Sequence, residues 1–176
     1  VVFMGTPEFA VLVLAALCDA GHDVVGVYSQ PDRPAGRGGR VAAPPVKSYA
    51  VEQGLSTFQP RSLRRDEGAR QELASLAPDL IVVAAYGLIL PADTLDVPRL
   101  GSLNIHPSLL PRYRGPSPVS TAILDGASVT GVTLMKLDQG MDTGPIVAQR
   151  ETSIGTEETA EELTSRLFDM GTSLLV

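Results

Sequence analysis

"DLIVVAAYG", residues 79–87, is the stretch that decides the fold. From Leu80 to Ala85 it is apolar without a break, and Ile81, Val82 and Val83 are β-branched. A strand with one wet face alternates apolar and polar residues. A strand buried on both faces does not. The run therefore predicts a central strand of a parallel sheet, covered by helices.

The neighbouring segments fit that frame. "VVFM" (1–4) and "DVVGVYS" (23–29) predict further strands, and "LSTFQP" (55–60) a weak one. "PEFAVLVLAALCDAG" (7–21) has apolar residues at helical spacing. Pro7 suits a first turn there, and Gly21 a C-terminal cap. "PPVKSYAVEQG" (44–54) and "RDEGARQELASLA" (65–77) also predict helices. Residues 30–43, rich in Gly, Pro and Arg, predict a long loop.

Beyond residue 100, "GSLNIH" (101–106), "TGVTLMKLD" (130–138) and "GPIVAQRETS" (144–153) predict strands. "PVSTAILDG" (118–126) predicts a helix, as does "GTEETAEELTSRLFDMGTSLLV" (155–176), which opens on a threonine cap and acids in its first turn. The order predicts the α/β class: a Rossmann-like, mainly parallel sheet covered by helices, with mixed pairing towards the C-terminal end. No repeat and no internal boundary divides residues 1–176.

Composition narrows the setting. Hydrophobic residues make up 44% and charged residues 19% of the 176, which excludes a disordered chain. No apolar run approaches the ~20 residues of a membrane span. No signal peptide is visible. Cys18 is the one cysteine, so no internal disulfide forms and a cytoplasmic setting fits. The net charge of −6 argues against a nucleic-acid partner, but its distribution argues the other way. Residues 33–50 hold Arg33, Arg37, Arg40 and Lys47 and no acid, a local +4 that leaves −10 elsewhere. A cationic loop on an acidic body suits a phosphate-bearing partner.

Asn104 and His106 stand at i and i+2 of a strand and so share a face. At the end of a parallel strand that face opens on the crevice where α/β sheets bind ligands. A strand-end histidine is more often a satisfied structural residue, and the neighbouring asparagine makes chemistry an equal alternative. "DQGMDTGP" (138–145) places Asp138 and Asp142 in a turn, where carboxylates are usually only solvated. Folded back onto His106, an Asp there would orient the ring. No Ser, Thr or Cys has an evident base, and His22 lies far from His106 in sequence, so neither covalent catalysis nor a metal site is indicated. A donor amide, a titratable ring and a carboxylate suit direct acyl or one-carbon transfer to an amine. Arg112 and Arg114 read equally as a phosphate or carboxylate grip and as a solvated basic turn.

Together "FMGTPEFA", "QPDRPAGRG", "PPVK", "AAYGLILP", "LNIHPSLLPRYRG" and "LDQGMDTGPI" resemble the methionyl-tRNA formyltransferase family, in order and along nearly the whole chain. The resemblance implies a formyl donor, 10-formyltetrahydrofolate, no metal, and an acceptor, initiator methionyl-tRNA. It implies a catalytic trio of Asn104, His106 and Asp142. Folate contacts would fall on Tyr86, Gly87, Leu88, Ile89 and Leu90, on Ser108, Leu109, Leu110 and Pro111, and on Asp138, Gln139, Gly140 and Met141. Arg33, Gly36, Arg37, Gly38, Arg40 and Lys47 would meet tRNA.

The expected protein is a cytoplasmic monomer without membrane contact. "RGPSPVS" stands where the family more often has "RGAAPVQ", which should alter only helix-start packing. The chain has the look of one trimmed at both ends, without the family's smaller β-rich tRNA-binding domain. Two alternatives stay open: a superfamily relative acting on a small molecule, without the 33–43 loop, and a non-catalytic RNA- or nucleotide-binding module, without a converging trio.

Overall fold

Three apolar runs of the first hundred residues become strands of one parallel set, as their composition demands. The computed structural model describes residues 1–35 and 40–176. These form two compact units, Val1–Ser102 and Leu103–Val176.

In the first unit, β1 (Val2–Gly5) lies between β2 (Gly26–Tyr28) and β6 (Ile81–Ala84), and β5 (Thr57–Phe58) flanks β2. All three pairings are parallel. Val2, Phe3, Met4, Ile81, Val82, Val83 and Ala84 are all buried, as a strand covered on both faces requires. The helices of the unit are α1 (Glu8–Asp19), α2 (Pro45–Glu52), α3 (Glu67–Ser75) and the single turn α4 (Ala92–Leu95). Asp66 caps α3 by accepting from the Ala69 N–H.

Two features differ from the sequence reading. The predicted loop at 30–43 contains a small antiparallel pair, β3 (Arg33–Ala35) with β4 (Arg40–Ala42). Three-residue strands containing proline and arginine carry no alternation to read. The turn α4 was also unforeseen, since four residues hold too little periodicity.

The second unit pairs β7 (Ser102–His106) with β8 (Val129–Lys136), and β8 with β9 (Ile146–Ser153), both antiparallel. This is the mixed pairing expected late in the chain. The remaining helices are α5 (Pro118–Leu124) and α6 (Ala160–Leu175). α6 opens on a capping box: Thr159 accepts from the Glu162 N–H, and the Glu162 carboxylate accepts from the Thr159 N–H. Its apolar stripe of Leu163, Leu167 and Phe168 is buried. Each such side chain contributes roughly 1.5–3 kcal/mol. No helix among the described residues is long and apolar enough to cross a membrane.

One contact decides how closely α6 approaches the strand that bears His106. A Cβ on Gly171 would stand 2.5 Å from Ile105 Cγ2 and 3.0 Å from Val132 Cγ2. The helix can press on β7 and β8 only because residue 171 has no side chain. Gly171→Ala should therefore lower stability by about 1–3 kcal/mol through overpacking, despite the better helix propensity of alanine. Urea denaturation measures it, and a stabilised variant would show that the helix has room to retreat.

Candidate active site

His106, the last residue of β7, is 4% exposed, so both ring nitrogens must be accounted for inside the protein. Nε2 lies 3.0 Å from the carbonyl oxygen of Tyr113. A carbonyl can only accept, so Nε2 carries the proton of that bond. Nδ1 is left to face Asp142, 3.7 Å from its Oδ2. That separation exceeds a direct hydrogen bond. Oδ2 instead accepts the Gly115 N–H at 2.8 Å. The Asp142 side chain is only 14% exposed, so its charge faces the ring with little screening.

Backbone geometry makes this arrangement possible. Tyr113 and Asp142 adopt left-handed conformations, with φ of 57° and 53°. Asp tolerates this region better than most residues; a tyrosine there is held by its surroundings. Asn104 is half-buried on the same face of β7 as His106, and among the described residues its amide makes no hydrogen bond. It is a polar group available to a ligand.

The 108–111 turn next to this pair is braced from below. Thr133 lies opposite His106 in the β7–β8 register. Its hydroxyl donates to the Ser108 carbonyl at 2.6 Å and accepts from the Leu110 N–H at 3.1 Å and from Gln149 Nε2 at 2.8 Å. One donor and two lone pairs are thus all in use. Gln149 Nε2 also donates to the Leu110 carbonyl at 2.9 Å. Ser108 Oγ donates to the Arg112 carbonyl at 2.7 Å, one residue before the carbonyl that holds His106. Leu110–Pro111 is a cis peptide.

The other expected contact residues lie as follows. Ser108 and Leu110 are buried, Leu109 half-buried and Pro111 exposed. Asp138, Gln139, Gly140 and Met141 are exposed, and Asp138 is engaged in its own turn, accepting from the Gly140 N–H and the Thr143 hydroxyl. Arg112 and Arg114 are exposed, and Arg112 lies over the Tyr113 ring.

In the first unit the chain turns sharply after β6, with Ala85 and Gly87 at φ of 50° and 78°. Tyr86 is buried, and burial raises its phenol well above the ordinary tyrosine range, so its ring belongs to the core. Gly87, Leu88 and Ile89 line a cavity of about 610 Å³ with Arg61, Ser62, Arg64 and Arg65. Leu90 is half-buried. Arg33 is exposed, and Lys47 is ion-paired with Asp32. Arg40 opens β4, while Gly36, Arg37 and Gly38 fall outside the described residues. Among the described residues no group of three or more His, Cys, Asp or Glu is placed to hold a metal.

The family model described as Formyl transferase matches residues 1–176. The chain belongs to the formyl transferase family. It is 53% identical over its whole length to the methionyl-tRNA formyltransferase of Methylococcus capsulatus, covering 57% of that protein. It is 51% identical to that of Marinobacter nauticus, covering 56%. The chain thus spans little more than half the length of these curated relatives. Among solved structures, phosphoribosylglycinamide formyltransferase from Bacillus halodurans superposes with a TM-score of 0.81 at 25% identity, covering 98% of this chain and 89% of that one.

The sequence reading missed Gly115, the Tyr113 carbonyl, Thr133, Gln149 and the three arginines beside residues 87–89. Arg61, Arg64 and Arg65 alone left a signal, a basic cluster within "PRSLRR" (60–65). A Thr133→Val formyl transferase would strand the Leu110 N–H and one Gln149 donor. It should lose about 2–3 kcal/mol in chemical denaturation. A loss below about 0.5 kcal/mol would remove the hub role from Thr133.

Proposed function

We propose that the chain carries the chemistry of formyl transfer from 10-formyltetrahydrofolate to the α-amino group of methionyl initiator tRNA, in the cytoplasm, for the start of translation. The single observation that carries this reading is His106 held between the Tyr113 carbonyl and the Asp142 carboxylate, with the unengaged Asn104 amide on the same strand face. The names of relatives at 53% and 51% identity support the tRNA acceptor, and so does the arginine-rich segment at 33–40. The cavity beside Gly87–Ile89 supports an anionic donor, since Arg61, Arg64 and Arg65 suit carboxylates.

The chemistry needs no strong base. An α-amino group has a reference pKa of about 8, so a useful fraction is neutral at pH 7. Its lone pair attacks the formyl carbon, and the carbonyl becomes an oxyanion. Asn104 donates its amide N–H there. His106 acts in its doubly protonated form: Nε2–H stays tied to Tyr113, and Nδ1–H, which the 3.7 Å gap to Asp142 leaves loosely held, is offered to the oxyanion. One donor of this kind is worth roughly 3–4 kcal/mol. The bond from the formyl carbon to the folate nitrogen then breaks. The attacking amine gives up one proton and the leaving folate nitrogen gains one, with Asp142 passing it on.

The deciding assay offers 10-formyltetrahydrofolate with charged initiator tRNA, free methionine, a sugar amine or glycinamide ribonucleotide as acceptor. Transfer to the tRNA alone is expected. Preferred transfer to a small amine would place the chain with the small-molecule formyl transferases. Asn104→Ala should lower kcat by about 100- to 1,000-fold. Asn104→Asp, nearly isosteric but negative, should be worse still. An Asp variant more active than the Ala variant would overturn the oxyanion assignment. His106→Ala should lose kcat by orders of magnitude while the donor dissociation constant barely moves.

A further inference from the structure

Lys47 contributes to the +4 of residues 33–50, yet its ammonium is already taken. Nζ stands 2.8 Å from both carboxylate oxygens of Asp32. The side chains are 24% and 32% exposed, so the pair sits partly out of water. Asp32 has a second partner: Gln59 Nε2 donates to its Oδ1 at 2.7 Å. These hydrogen bonds, that of Lys47 first, hold the Asp32 carboxyl below the usual carboxylate range.

The bonds continue past Asp32. Gln59 Nε2 also donates to the Gln30 carbonyl at 2.8 Å. The Gln30 N–H donates to Thr6 Oγ1 at 3.3 Å, and Thr6 Oγ1 donates to the Tyr86 carbonyl at 2.9 Å. Gln30 Nε2 reaches the same Tyr86 carbonyl at 3.2 Å. The Gln30 amide lies so close over Gly87 that a Cβ there would collide with it. An unbroken chain of polar contacts therefore runs from Lys47 to the residue where the 86–90 segment leaves β6. Its second member, Asp32, immediately precedes β3.

We propose that Lys47, Asp32, Gln59 and Gln30 are positioning residues that fix the 86–90 segment against the base of the β3–β4 hairpin, and that Lys47 acts through this chain and not as a phosphate contact. The proposal rests on the reading above, in which 87–90 meet the donor and the hairpin meets tRNA. A lysine pinned by both oxygens of a carboxylate must break that pair before it can neutralise a phosphate. The sequence offers three arginines in the segment, Arg33, Arg37 and Arg40, for that task. Arranged in this way, loss of the Lys47 ammonium loosens the donor segment while leaving the count of phosphate contacts unchanged.

The test compares Lys47→Met, Asp32→Asn and Lys47→Arg with the parent, each in the protein as it occurs naturally. Two quantities are read: the dissociation constant for 10-formyltetrahydrofolate, and the salt slope of kcat/KM for charged initiator tRNA. Lys47→Met and Asp32→Asn should each weaken donor binding about 5- to 10-fold, the size of one lost hydrogen bond of ordinary strength. The salt slope should stay at the parental value. Lys47→Arg should restore most of the donor affinity, because its planar fork also fits a carboxylate. A slope lower by about one phosphate contact, with unchanged donor affinity, would make Lys47 a tRNA contact and overturn the proposal. So would variants that lose thermal stability yet bind the donor normally. A parent that binds donor but does not use charged tRNA would sink the functional reading alone, and the donor constants would still judge the chain.

Discussion

The hydrogen bond from His106 Nε2 to the Tyr113 carbonyl is the constraint on which the site depends. Because a carbonyl cannot donate, the bond fixes which nitrogen is committed and which is left to act. It also sets the demand on the rest of the unit. Tyr113 must turn its carbonyl inward, and it does so from a left-handed backbone that is uncommon for a tyrosine. The turn before it is therefore held at Ser108 and Leu110 by Thr133 and Gln149. Those two residues come from β8 and β9, so the antiparallel half of the fold exists in part to hold a loop.

That dependence explains what was legible in the sequence. Buried strands are long apolar runs, and 81–84 and 1–4 declare themselves by composition. The Asn104–His106 pair was visible because two polar residues on one face of a buried strand need a reason. Asp142 was set apart from Asp138 only through resemblance, since a carboxylate in a glycine-flanked turn looks the same whether solvated or aimed at a ring. Thr133 and Gln149 left no mark at all. A threonine in a strand satisfies β propensity, and nothing in its neighbours reveals that its hydroxyl is saturated. Support residues act through partners distant in sequence, so their pattern does not lie in any one segment.

Charge counting in a sequence window leaves one ion pair out of sight. Residues 33–50 sum to +4, and that window begins one residue after Asp32, the acid that pairs with Lys47. Asp32 stands immediately outside it and takes both contacts of Lys47. A local charge sum describes a field felt at a distance. It does not describe which cations are free at contact range, because ion pairs join residues that a sequence window separates. Here the pair spans 15 positions.

The two expected binding segments also differ in how they are built. His106 is on a strand, opposite Thr133 in the register and next to Ile105, against which α6 packs. The 87–90 segment leaves its strand through two left-handed residues and is steadied by side-chain amides. Reacting groups need placement to a fraction of an ångström, which a strand backbone supplies through its own ladder. A segment proposed to admit and release a bulky donor gains from not being locked into a ladder. Hydrogen bonds from Thr6 and Gln30 to one carbonyl fix where that segment starts, while Ile89 beyond it is exposed. On the proposed reading, hydrogen bonding is concentrated at the reacting groups and at the root of the donor segment.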